Sequence, residues 1–524
     1  MAGRLKGITG NPANALLRPD SMRADLLAKT TSILKYVLLV GALSYVLVYL
    51  ALALFRMGYP FELEWIEGGM LEHVRRVMAG QPLYIKPSLD FTAFIYTPLY
   101  YYVSAAVAWI FGMGFVQLRA VSFVASLGCL LLIFLIVRRE TKSRFAGALA
   151  CALFAATYRL SGTWLDLVRI DSLFLFFLLL AVYPARFGTS AFSALLAGLF
   201  IALAFLTKQT ALFVFLTLAV YYLVCNRRIA LAFIATGAVL IGGSTLLLDH
   251  LHNGWYNYYV FYLPARGSLV PDAVFMFWSR DLISPLAVAF TLGAIFMLVR
   301  FVGRPGKQDW FYIFLAAGAF GAAWVSRVHG GGVENVMIPA YAVVAIVFGV
   351  AVKETLEFIK AMPSDRQKLA EACLYVICSI QFFSLLYVPS LHIVPEPADS
   401  AAGQKLVERV AQMKGSVLIP YHPYLAVRAG KTGSAHNIAM SVVVQNDQGP
   451  GGVDLANEIR QAIQQHKFDI IILDGNKWSP FQEHIDKFYK LQSRVFDNPF
   501  VFWTKTGMYT RPEYIYVPKD SEEP

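Results

Sequence analysis

YPFELEWIEGGMLEHVRRVMAGQPLYIKPSLDFTAFIYTPLYYY, residues 59–102, opens where the first long apolar block (33–55) closes. Glu62, Glu64 and Glu67 fall within six residues of that sequence. Ile66, Met70, Val74 and Val77 recur at helical steps and mark one face, with Glu72, His73, Arg75 and Arg76 off it. The pattern predicts an amphipathic helix lying in a membrane interface. Acidic groups at its N-terminal end suit the helix dipole. On the plainest reading the three glutamates only start that helix.

The rest of the chain decides which membrane context applies. Hydrophobic residues make up 57% of the 524 and charged residues 15%, well below the roughly one quarter charged of a soluble domain. That excludes a soluble enzyme, a disordered chain and a fibrous repeat, and leaves a polytopic membrane protein. Apolar blocks lie near 33–55, 97–117, 119–137, 145–164, 170–184, 191–206, 211–225, 229–248, 282–300, 310–326, 336–352 and 371–389. If 97–117 stays at the outer face, the cytoplasmic loops, N-terminal tail and Lys35 hold 20 of the 31 Lys and Arg of residues 1–389. The positive-inside rule then favours eleven spans, with the N-terminus inside and the C-terminus outside. The same bias explains the net charge of +11 without invoking nucleic acid. No cleaved signal peptide is expected in the polar tail, 1–32.

Residues 390–524 carry 14 basic and 15 acidic residues and read as a separate extracytoplasmic domain behind Pro389, Pro395 and Pro397. A helical stretch (401–413) precedes SVLIP (416–420), and a second (453–466) precedes FDIIILDG (468–475). Apolar runs alternating with helices predict a small α/β sheet. QGPGG (448–452) reads as a loop, because no Lys-Ser/Thr follows to make it a phosphate motif. The five cysteines lie in or beside apolar blocks and signal neither disulfides nor zinc.

This arrangement collects four polar segments at one outer face: 56–96, 161–169, 249–281 and 326–335, joined by TKQT at 207–210. Ionisable groups gathered there beside apolar spans point to a site. An acidic residue just after the first span, an interfacial helix, G-x-P-L-Y and a Tyr-rich segment containing Pro98 resemble the GT-C superfamily of membrane glycosyltransferases. Protein O-mannosyltransferases and lipid A aminoarabinose transferases are the members it resembles most. The resemblance implies an α-helical polytopic fold with about eleven spans, a first outer loop at 56–118 within a 33–389 membrane domain, and a C-terminal extracytoplasmic domain. It also implies that an acidic residue of the first loop contacts the acceptor and acts as base. Spacing to Gly80 matches Glu64 best and Glu67 second, and leaves Glu62 as a substrate ligand. Where the family often shows Asp-Glu, this chain has Glu-Leu-Glu-Trp-Ile-Glu. Arg119 resembles an arginine that closes this loop in the mannosyltransferases.

The implied donor is a sugar on a polyprenyl phosphate, and the acceptor is a glycan, lipid or protein. A carboxylate would take the acceptor proton as the hydroxyl attacks the anomeric carbon. Cations at the membrane surface would meet the departing phosphate. Lys208 stands alone between apolar runs, although a lone lysine there can also snorkel. Arg327 and His329 precede three glycines whose N–H groups could approach an anion, or that form a solvated turn. Lys86 is a further phosphate candidate, with loop solvation its plainer role. Asp166, Arg169 and Asp171 could bind sugar hydroxyls, or pair among themselves and hold loops. The loop 249–281 is aromatic enough for an interface belt or a prenyl wall. His250 and His252, two apart, make a poor metal pair. No cofactor is required; a divalent metal is compatible but not signalled. The expected location is a bacterial cytoplasmic (inner) membrane with a periplasmic C-terminal domain. A lipid or sugar transporter, or an assembly protein of envelope polysaccharide synthesis, is the competing class.

Overall fold

Long runs of Leu, Ala, Val and Phe without breakers make helices, and Gly, Pro and short polar turns divide them. The structure, a computed structural model, describes residues 19–387, 393–475 and 478–519. In the membrane part the helices are α1 (Pro19–Met57), α2 (Glu67–Met78), α3 (Leu99–Phe111), α4 (Phe115–Thr141), α5 (Arg144–Ala156), α6 (Asp171–Phe187), α7 (Ala191–Thr207), α8 (Ala211–Cys225), α9 (Arg227–Leu251), α10 (Ala287–Val302), α11 (Lys307–Val328), α12 (Ile338–Lys360) and α13 (Ser364–Ser384). Among the described residues, five helices are long and apolar enough to cross a bilayer alone, or six with one bent pair.

Several boundaries differ from the sequence reading. Residues 19–32, read as tail, are the first turns of α1, while residues 1–18 and Pro389 lie outside the described residues. The block 145–164 stays helical only to Ala156, because Gly162 and Thr163 take positive φ of 70° and 59°. Its remainder becomes an irregular loop, 157–170. α3, with 13 residues, is about 20 Å long, short of the ~30 Å hydrocarbon core. The loop 249–281 contains two helical segments, 255–265 and 273–283, and the second meets α10 at a 95° bend beside Pro285.

α12 is the central helix, with nearly every residue from Ile338 to Val352 buried. Small residues let neighbours close on it. A Cβ at Gly349 would stand 2.8 Å from Ala150 Cβ, so α5 already lies against its backbone.

The C-terminal domain holds α14 (Pro397–Gln412), α15 (Pro423–Arg428), α16 (Asn437–Asn446), α17 (Pro450–Gln464) and α18 (Gln482–Phe488) around a four-stranded sheet. β1 (Val417–Leu418), β2 (Ile470–Leu473), β3 (Tyr489–Arg494) and β4 (Tyr514–Pro518) run in the order β1-β2-β4-β3. β1 and β2 are parallel, in register Val417↔Ile470, and lie in the two apolar runs read as strands. β4 pairs antiparallel with β2 and β3. Part of QGPGG is helix: Pro450, Gly451 and Gly452 make the first turn of α17, and Asp447 accepts from the Gly449 and Gly452 amides.

This domain packs directly on the first loop. Tyr59, Phe61, Leu63, Trp164 and Leu167 share one buried cluster with Leu406, Ile419 and Phe502. The helix predicted after the glutamates forms as α2, and its first two turns are buried within the protein. Glu67 to Val74 are all buried beneath α15 and against α3. His73, placed on the polar face by sequence, sits between the Phe94 and Tyr101 rings at 4.5 and 4.9 Å.

Candidate active site

The three glutamates of the first loop have three different environments. Glu67 is fully occupied. Its Oε2 takes Arg119 Nη2 at 2.6 Å and the Leu63 amide at 2.7 Å. Its Oε1 takes Arg119 Nε at 3.0 Å and the Val168 amide at 2.8 Å. Arg119 also donates to the Tyr59 and Phe61 carbonyls, both at 2.6 Å, and so closes the loop on itself. Burial works against the ionised form of Glu67, but Arg119 and the two amides outweigh it and lower its pKa.

Glu64 is half occupied. Its Oε2 accepts from Arg169 Nη1 at 3.3 Å and the Ile66 amide at 3.2 Å, while its buried Oε1 has no partner among the described residues. Burial, only partly offset by Arg169, pushes its pKa up to about 7. Arg169 Nη2 donates to the Tyr96 hydroxyl at 2.9 Å, and its guanidinium lies over the Trp164 ring at 4.6 Å. Arg169 Nε and Trp164 Nε1 are likewise buried without partners.

Glu62 joins the two domains. Its Oε2 meets His422 Nδ1 in a short contact, and His422 Nε2 lies 2.7 Å from Asp474 Oδ2. Burial disfavours the imidazolium, yet Asp474 and Glu62 together push the His422 pKa up to about 10. Glu62 is itself raised by burial, with His422 opposing.

The other candidates sort into separate places. Asp166, Arg169 and Asp171 do not pair with one another. Asp166 meets buried Arg56 at 3.4 Å and accepts from the Tyr158 hydroxyl at 2.6 Å. Asp171 takes Lys208 Nζ at 2.8 Å and Asn335 Nδ2 at 3.1 Å. Lys208 therefore does not snorkel; it is buried beside α6, with Phe174 under its ammonium. Arg327 is held by Asp281 at 2.8 Å and by the Gly332 carbonyl at 2.8 Å. His329 uses Nδ1 on the Val325 carbonyl at 2.7 Å. Lys86 pairs with Asp454 at 2.8 Å on the exposed surface of the C-terminal domain.

An apolar groove of about 710 Å³ runs along α3, α4 and α6, lined by Val103, Val107, Val121, Val124, Leu173 and Phe176. Leu173 is two residues beyond Asp171, so the groove reaches the turn that carries the Asp171–Lys208 pair.

Sequence reasoning did not single out Tyr96, Trp164 or Asn335, although all three stand in quoted segments. Nor did it reach His422, Asp474 or the 503–510 loop, whose approach to the glutamates depends on domain docking alone.

Residues 96–247 match the profile of the dolichyl-phosphate-mannose-protein mannosyltransferase family. No curated protein matches the chain. In structure, the chain is similar to ArnT from Cupriavidus metallidurans in the apo state, with TM-score 0.55 and 15% identity over 91% of this chain and 98% of that one. The same protein bound to undecaprenyl phosphate gives TM-score 0.54 and 13% identity over the same shares. The archaeal oligosaccharyltransferase AglB from Archaeoglobus fulgidus gives TM-score 0.48 and 12% identity over 83% and 69%. The likeness first read in one loop thus extends along the chain as a likeness of fold to ArnT.

Proposed function

We infer that the chain transfers a sugar from a polyprenyl-phosphate donor to a hydroxyl of a glycan, lipid or protein acceptor. The observation that carries this is Glu64: a buried carboxylate near neutrality, with one oxygen fixed and the other without a partner. A general base works best when its pKa lies near the working pH. The acceptor oxygen would attack the anomeric carbon as Glu64 Oε1 takes its proton. The bond from that carbon to the phosphate oxygen would break on the opposite face, inverting the centre and releasing polyprenyl phosphate. Glu67, saturated by Arg119, positions the loop and does not take the proton.

Arg169, on Glu64, and Lys208, on Asp171, are both buried, where charge pairing is strongest. They suit the departing phosphate, with Asp171, itself fixed by the Asn335 amide, holding the Lys208 ammonium. The adjoining apolar groove suits a prenyl chain entering sideways from the bilayer. One structural relative carries undecaprenyl phosphate, which supports a lipid phosphate as ligand. The Lys and Arg distribution supports eleven spans, with the N-terminus inside and the first loop and C-terminal domain outside a bacterial inner membrane.

The test uses purified protein in lipid with a panel of radiolabelled polyprenyl-phosphate sugars and an acceptor extract, and follows release of polyprenyl phosphate. Glu64→Gln should lower release by about 10²–10⁴-fold without unfolding. Absence of release with every donor would favour transport or assembly.

A further inference from the structure

Glu64 has no exposed surface, so an acceptor hydroxyl has no path to Oε1 unless something moves. What covers it comes from the far end of the chain. A Cβ on Gly507 would lie 2.9 Å from Glu64 Cγ and 3.2 Å from Oε1, so this residue's backbone rests directly on the carboxylate. Gly507 has φ of +70°, a conformation glycine tolerates best. Next to it, the Thr506 hydroxyl donates to the Gly162 carbonyl in a short contact. A Cβ on Gly162 would in turn stand 3.1 Å from Trp164 Nε1. Thr506 and Gly507 therefore bridge from the neighbourhood of one unpartnered group, Trp164 Nε1, to another, Glu64 Oε1. Buried polar atoms are normally hydrogen-bonded, and a cluster of unpaired ones behind a loop marks where polar ligand atoms fit.

The attachments of the loop are few and identifiable. The Lys505 and Thr506 amides donate to the Leu63 carbonyl at 2.7 and 3.1 Å. Lys505 Nζ meets Asp399 at 2.7 Å. At its base, Thr510 donates to Asp474 at 2.5 Å. The tip is open: Met508 is 51% and Tyr509 67% exposed. Lifting such a tip breaks few buried contacts, as in segments that open locally.

We propose that residues 503–510 are a removable wall of the site, and that the acceptor enters by displacing Thr506 and Gly507. Its hydroxyl then lies against Glu64 Oε1, with Trp164 Nε1 donating to an acceptor oxygen. The ligand class is an alcohol carried on a larger body, bound at the junction of the two domains. The wall also shields the donor from water until the acceptor arrives. This rests on the reading of Glu64 as base, and the two can fail separately.

Lys505→Ala and Thr506→Val remove tethers without touching Glu64. In lipid nanodiscs, the rate at which a water-soluble carbodiimide and glycine ethyl ester label Glu64 is read by peptide mass spectrometry. Labelling at least threefold faster than wild type is expected in both variants at a temperature where each is folded; Lys505→Ala also lowers the melting temperature, because it leaves Asp399 buried without its cation, whereas Thr506→Val should not. With the donor identified above, acceptor-independent release of polyprenyl phosphate should also rise at least threefold. Trp164→Phe, which keeps the ring over Arg169, should raise the acceptor KM and leave the donor KM alone. Unchanged labelling in folded variants overturns the wall. Faster labelling with no release from any donor leaves the wall standing and overturns Glu64 as base.

Discussion

Arg119 Nη2 lies 2.6 Å from Glu67 Oε2, and both side chains are fully buried. The pair ties α4 to the start of α2, and the same arginine holds two loop carbonyls. Removing one member leaves the other buried and uncompensated, a cost of roughly 3–5 kcal/mol. Arg119→Ala or Glu67→Ala should therefore lower the melting temperature or abolish expression. Glu64→Gln, which keeps an oxygen toward Arg169 at a site whose carboxyl pKa is already about 7, should lower it far less than Glu67→Gln. Thermal unfolding in detergent separates the two carboxylates; equal losses would remove the distinction drawn between them.

Turnover should carry an acid limb set by Glu64. Its pKa is pushed up to about 7, and only the ionised form accepts a proton. kcat/KM should thus rise with pH through about 7 and level above it. A profile flat from pH 5 to 8 would assign the base elsewhere.

His422 gives stability the opposite slope. Its pKa rises from 6.5 to about 10 in the fold because Asp474 and Glu62 flank it. The folded state holds this proton more tightly than the unfolded chain. Its contribution is complete below about pH 6.5 and is lost as pH climbs through about 10. Wild type should lose melting temperature steadily over that window, whereas His422→Gln should start lower and lack that part of the slope. Parallel curves would show that the imidazolium does not hold the domains together.

The two lysine candidates should behave differently. Lys208→Gln removes a buried cation beside Asp171 and should raise the donor KM by tenfold or more. Lys86→Ala breaks only an exposed pair, typically worth 0–1 kcal/mol, and should change neither KM nor melting temperature beyond error. Steady-state kinetics with the donor identified above decides both.

How much of this was legible in sequence follows from how local each signal is. The helices, the first loop and its acidic cluster could be read because periodicity and composition act over a few residues. Two of the four strands of the C-terminal domain, β1 and β2, lay in continuous apolar runs. Ranking the three glutamates by spacing placed Glu64 first, but spacing cannot show that Arg119 saturates Glu67 and leaves Glu64 half free. The early end of α5 was missed because the apolar block was carried through Thr157 and Arg159 to 164, where Gly162 and Thr163 in fact take positive φ. His422 and the 503–510 loop lie some 360 and 440 residues from the glutamates, beyond the reach of any local pattern.

That separation also sets an order in time. The contact between Glu62 and His422 spans 360 residues of chain. At about 5–20 residues per second of synthesis, roughly 20–70 s pass between the two. Through that interval the acidic loop stands without its cover, and its charges stay hydrated until the last part of the polypeptide arrives. The enclosure of Glu64 is therefore completed only after the C-terminal domain is made, and a chain cut short after α13 would have its helices but no enclosed site.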